Sequence, residues 1–103
     1  MRYYIYSLSV SGSLFYIGMT CNKREREAQH KKRFGDDISF NVLFDKVVND
    51  KGCYGISMKI KRIESALIKI ALDNGHPLAN KHYLGPIAPR SISAARCIYN
   101  AHF

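Results

Sequence analysis

Residues 3–18 read YYIYSLSVSGSLFYIG, and the fold turns on this stretch. Its two ends, YYIYSL at 3–8 and LFYI at 14–17, are rich in aromatic and β-branched residues that suit a pleated, half-buried surface. Between them SVSGS is small and polar with one glycine, which is turn chemistry. The reading is a β-hairpin with Gly12 in its turn. Working outward, Asn22 can cap a helix running to about Phe34, where Gly35-Asp36-Asp37 breaks the chain. Asp37 or Ser39 can cap a second helix to about Asp50, because Phe40, Leu43, Phe44, Val47 and Val48 recur with helical spacing, and Lys51-Gly52 ends it. Ile56, Met58 and Ile60 alternate with Ser57, Lys59 and Lys61, which predicts a strand. A third helix is expected from about Ile63 to Asn74, closed by Gly75, then a loop from Pro77 through Asn80 and a short terminal helix over 91–100. Hairpin plus strand gives a three-stranded, mostly antiparallel sheet flanked by helices. The expected class is α+β in the order β-β-α-α-β-α with an extra C-terminal helix, as one domain over 1–103.

Sixteen Lys and Arg stand against eight Asp and Glu, a net charge of +8 on 103 residues. Such an excess favours a polyanionic partner. The most basic segment, Lys23 to Arg33, lacks the large apolar residues a membrane-surface helix would carry, so nucleic acid is the better reading. No stretch approaches the roughly 18 apolar residues that span a bilayer. The N-terminus shows no signal-peptide pattern, so a cytoplasmic location, in a bacterial or phage-infected cell, is expected. Cysteines 21, 53 and 97 are odd in number and widely spaced, which fits neither a disulfide framework nor structural zinc.

Several residues stand out. Lys23, Arg26, His30 and Arg33 step by 3, 4 and 3 along the first helix, so they share one face, with His30 expected to be mostly exposed. Arg suits a phosphate because its planar fork donates two hydrogen bonds at once. Glu64 is placed in the first turn of the third helix, on the apolar face of Leu67, Ile68 and Ala71. A carboxylate there is costly unless paired or bound to metal, though the helix dipole or a nearby Lys or Arg would also accommodate it. Tyr4 and Tyr6 share a face of the first strand, and Tyr16 lies in the second.

Taken together, these residues resemble the GIY-YIG nuclease family. Ile5-Tyr6 matches the latter part of the first motif, and Tyr16-Ile17-Gly18 matches the second in full. Arg26 falls ten residues after Tyr16 and His30 four residues later, as in the family's first helix. Glu64 sits where the family's metal-binding glutamate does, and Asn80, sixteen residues on, lies near the family's late asparagine. The resemblance covers about residues 3–82. It departs at Tyr4, which replaces the first motif's glycine. That glycine supplies no reacting group, so activity is little affected.

The resemblance implies a three-stranded antiparallel sheet and an endonuclease hydrolysing DNA phosphodiester bonds with one Mg²⁺ or Mn²⁺. Glu64 would hold the ion, Arg26 would clamp the scissile phosphate, and Tyr6 would act as general base if cationic neighbours favour its ionisation. Tyr16 would position water or phosphate, His30 would relay a proton or touch phosphate, and Asn80 would fix the site. Lys23, Lys31, Lys32 and Arg33, with Lys59, Lys61, Lys69 and Arg90, are candidate contacts to the nucleic-acid backbone. RNA stays open as a substrate. The chain is expected as a monomer or homodimer without membrane association, with or without an accessory protein for targeting. Two alternatives are a non-catalytic nucleic-acid-binding module and a phage-type protein-interaction factor on the same fold.

Overall fold

The structure, a computed structural model, describes residues 2–47, 54–79 and 87–103. Strands β1 (Arg2–Val10) and β2 (Ser13–Thr20) form the expected hairpin. Ser11 and Gly12 both take positive φ, 51° and 79°. Two such residues in succession give the turn whose twist matches a tight hairpin, and Gly12 adopts it without steric cost. Helix α1 (Lys23–Phe34) starts where Asn22 accepts a hydrogen bond from the Glu25 N–H at 3.2 Å, and ends at Gly35, whose φ is 99°.

Beyond Gly35 the element order departs from expectation. In the segment read as a second helix to about Asp50, residues 39–47 form strand β3 (Ser39–Val47), antiparallel to β1, while 48–50 lie outside the described residues; the sheet order is β2-β1-β3. The cause is a β-bulge. Ile5 pairs with Phe44 and Tyr6 with Val42, leaving Leu43 as an extra residue on β3. A bulge breaks the two-residue alternation, so Phe40, Leu43 and Phe44 mimic helical spacing. The residues read as a strand at 56–61 lie instead in helix α2 (Tyr54–Asp73), which begins nine residues before the expected helix at 63. Ile60, Glu64, Leu67, Ile68 and Ala71 are all buried and share one face of α2. A six-residue alternation is too short to separate the two periods, and β3 already supplies the third strand. Gly75 (φ 85°) follows α2 as expected, and the terminal helix is longer than 91–100: α3 spans Pro89–His102. The order is therefore β-β-α-β-α-α, an α+β domain with a fully antiparallel sheet.

Side chains alternate across β1, so the sheet has two packed faces. On one, Ile5 and Ile17 join Leu43 and the α2 residues Ile60, Leu67, Ile68 and Ala71, with Ala95 of α3 behind them. On the other, Tyr6 and Leu8 meet Ile38, Phe15, Tyr16, Phe40 and Phe34 of α1. Among the described residues no helix is long and apolar enough to cross a membrane, and Cys21 and Cys97 are exposed free thiols.

Candidate functional site

Tyr6 is the centre of the second face. It is 1% exposed, and its hydroxyl lies 2.7 Å from Nε2 of His30. Its ring stacks on Phe40 at 4.5 Å and lies 6.1 Å from the Tyr16 ring, the planes 16° apart. Gly18 pairs with Tyr6 across the hairpin. A Cβ at position 18 would stand 2.5 Å from the Tyr6 hydroxyl oxygen and 2.9 Å from Tyr16 Cε1. The two phenols therefore occupy the space a side chain would fill, which explains glycine here. Strand pleat and hairpin register thus set the pair.

His30 is not the mostly exposed residue expected: at 5% exposure it is the one buried residue of α1. The aromatic surface below draws it inward, with Tyr16 at 4.8 Å and Phe34, one turn on, at 5.8 Å. Burial lowers its pKa, and the charges of Arg26 and then Arg33 lower it further, so the imidazole is neutral near pH 7. An imidazole nitrogen is a better acceptor than a phenol oxygen. On that ground the Tyr6 hydroxyl donates to Nε2.

Burial, with the Tyr16 hydroxyl beside it, pushes the Tyr6 phenol well above its ordinary range; Arg26 opposes the shift and Glu64 adds to it. The cationic field expected to lower Tyr6 is present but loses to desolvation. Arg26 and Glu64 both act on Tyr6 through their charges, so two elements bring opposite charges to bear on one phenol. Arg26 is exposed and lines a small cavity of about 120 Å³ with Thr20, Cys21, Asn22, Glu25 and Gln29.

Glu64 is 6% exposed. Because α2 begins at Tyr54, Glu64 lies well inside the helix rather than in its first turn. A helix dipole fades beyond that turn and does not account for it. Its partner is Lys61, one turn earlier, with Nζ 3.1 Å from Oε1. Burial raises the Glu64 pKa and Lys61 opposes the rise. No group of three or more His, Cys, Asp or Glu that could hold a metal is found among the described residues. The donor at hand is one hard carboxylate. It fits Mg²⁺ or Mn²⁺, which keep several waters and take phosphate oxygens, and does not fit zinc.

Asn80 lies outside the described residues. The basic face of α1 is divided: Lys23 stands over the Tyr4 ring at 5.5 Å, Arg33 over Phe34 at 5.0 Å, and Lys31 pairs with Glu27 at 3.3 Å, while Lys32 is exposed. Lys69 pairs with Asp73 at 2.8 Å. The steric role of Gly18 and the stacking of Phe40 go beyond the sequence reading, whereas a nearby Lys or Arg as partner to Glu64 was among its alternatives and is Lys61. Gly18 was visible in the YIG tripeptide and Lys61 in its i, i+3 spacing from Glu64. The role of Phe40 is hidden in the sequence because the bulge in β3 gives it helical spacing. Comparison with known proteins finds no matching family model, no matching curated protein and no matching solved structure.

Proposed function

We propose that this chain is a divalent-metal-dependent endonuclease of the GIY-YIG type that hydrolyses DNA phosphodiester bonds. One observation carries the reading: the buried Tyr6 hydroxyl lies 2.7 Å from Nε2 of His30, on the helix that also carries the exposed Arg26. The net charge of +8 supplies attraction for a polyanion.

The chain's own residues suggest how the chemistry runs. Tyr6 resists ionisation, so a standing tyrosinate is not the resting base. It works as a base by passing its proton to His30 Nε2 while taking one from the attacking water, so no free phenolate accumulates. Burial keeps bulk water from Tyr6, and proton transfer goes to an ordered partner. Tyr16, half-buried beside Gly18, would orient the water or a phosphate oxygen. Arg26, exposed at the rim, stabilises charge developing on the scissile phosphate. Glu64 would hold Mg²⁺ or Mn²⁺, which neutralises phosphate charge when bound.

The test is nicking of supercoiled plasmid with Mg²⁺ or Mn²⁺, with duplex, single-stranded and RNA substrates in parallel. Glu64→Ala and Arg26→Ala should each abolish nicking while circular dichroism shows the fold retained. Near wild-type cleavage by either variant overturns the assignment. DNA binding without cleavage in any divalent ion would leave a binding module instead.

A further inference from the structure

Lys61 was a candidate for backbone contact, yet its ammonium is engaged elsewhere. It reaches one turn along α2 to Glu64, with Nζ 3.1 Å from Oε1. The two partners are unequal. The Glu64 side chain is 8% exposed and set among Ile60, Leu67 and Ile68, whereas that of Lys61 is 45% exposed. A buried carboxylate needs a countercharge and cannot follow a partner into water. A lysine can leave readily, because its stem lies along the surface while its head stays solvated. The pair therefore has one fixed member and one exchangeable member.

We infer that Lys61 is a positioning residue that acts through Glu64: its ammonium holds the cation place at this carboxylate, and a divalent ion binds there only by displacing it. The inference rests on the reading of Glu64 as the metal ligand. A +2 ion and a +1 ammonium on one carboxylate repel strongly in a half-buried setting. Among the described residues no group of three or more metal-binding side chains gathers to share them. The two cations exclude one another. A phosphodiester changes the balance, because it brings negative charge that the displaced ammonium can meet. Metal and nucleic acid then bind cooperatively, and the substrate-free protein binds metal weakly.

The next cations along the helix provide a control. Lys59 and Arg62 line a cavity with Ile63, Ala88 and Arg90, on the side of α2 that faces α3. The face carrying Ile60, Glu64, Leu67 and Ala71 is a different one. Removing Lys59 lowers the net charge by the same amount as removing Lys61 without touching Glu64.

The experiment is a Mn²⁺ titration of the DNA-free protein, with free Mn²⁺ read by electron paramagnetic resonance. Lys61→Gln should bind Mn²⁺ roughly tenfold more tightly than wild type. Lys61→Arg, which keeps the charge, should stay near wild type, and Lys59→Gln within about twofold. Adding Glu64→Gln to Lys61→Gln should erase the gain. If Lys61→Gln binds no more tightly than wild type, or if Lys59→Gln matches its gain, the exclusion is wrong. Detectable wild-type binding that Glu64→Gln abolishes would keep the ligand assignment standing in that case. A gain that survives Glu64→Gln overturns both.

Discussion

Ile5 and Tyr6 are neighbours in β1, yet their side chains enter different environments. Ile5 meets aliphatic residues of β2, β3, α2 and α3, and the buried Glu64 sits among those of α2. Tyr6 meets rings: Tyr16, Phe40 and His30, with Phe34 beyond. The aliphatic face buries apolar area and needs only volume and shape. The aromatic face spends much of its packing on holding polar atoms in place. Its rings fix the phenol and imidazole, and its hydrogen bond satisfies both. No buried side-chain nitrogen or oxygen lacks a partner among the described residues. The contrast teaches that alternation along one strand separates an aliphatic face from an aromatic, hydrogen-bonded one, and that damage to the two faces should read out differently.

The largest effect on stability is expected from the aliphatic side. Leu67, fully buried there, should cost about 2–5 kcal/mol as Leu67→Ala, seen in urea denaturation. Gly18→Ala strikes the other face. Its Cβ would overlap two rings, and Tyr6 is held from behind by Phe40. A cost of about 1–3 kcal/mol is expected, with loss of the proposed cleavage out of proportion to loss of fold. Equal loss of both would blur the division drawn here.

His30 provides a smaller, pH-dependent effect. Burial and the charges of Arg26 and Arg33 hold its folded pKa below the unfolded value of about 6.5. The unfolded chain then takes up the proton first. His30's contribution is complete above the unfolded pKa and is lost as pH falls from there toward the folded pKa. Wild type should lose more melting temperature than His30→Gln between about pH 7.5 and 5. Parallel curves would show that His30 titrates as it does in the unfolded chain. The smallest effect concerns the helices outside the two faces. In the proposed complex with DNA, Lys32→Ala, on α1 beside the aromatic face, should reduce the salt slope of binding by about one. Lys69→Ala, on α2 and paired with Asp73, should leave it unchanged.

The hairpin and the first helix were legible in sequence because their signals are local. A two-residue turn with glycine, an asparagine cap and a glycine stop act within a few residues of themselves. Glu64 was legible as a carboxylate on an apolar face, since helical spacing held on both sides of it. The same spacing failed at β3, where the bulge at Leu43 comes from pairing with β1, a partner distant in sequence.

By itself, then, the sequence determined the hairpin, the caps, the α+β class and the residue types on which a site is built. Tertiary structure decided which run became the third strand and that His30 turns inward. It also decided that burial outweighs the cations around Tyr6, and that Lys61 rather than a helix dipole accompanies Glu64. Spacing along a chain reports only what neighbours within a turn or a pleat can do. Burial, and with it the state of every ionisable group in the site, is set by surfaces that meet only when the chain has folded.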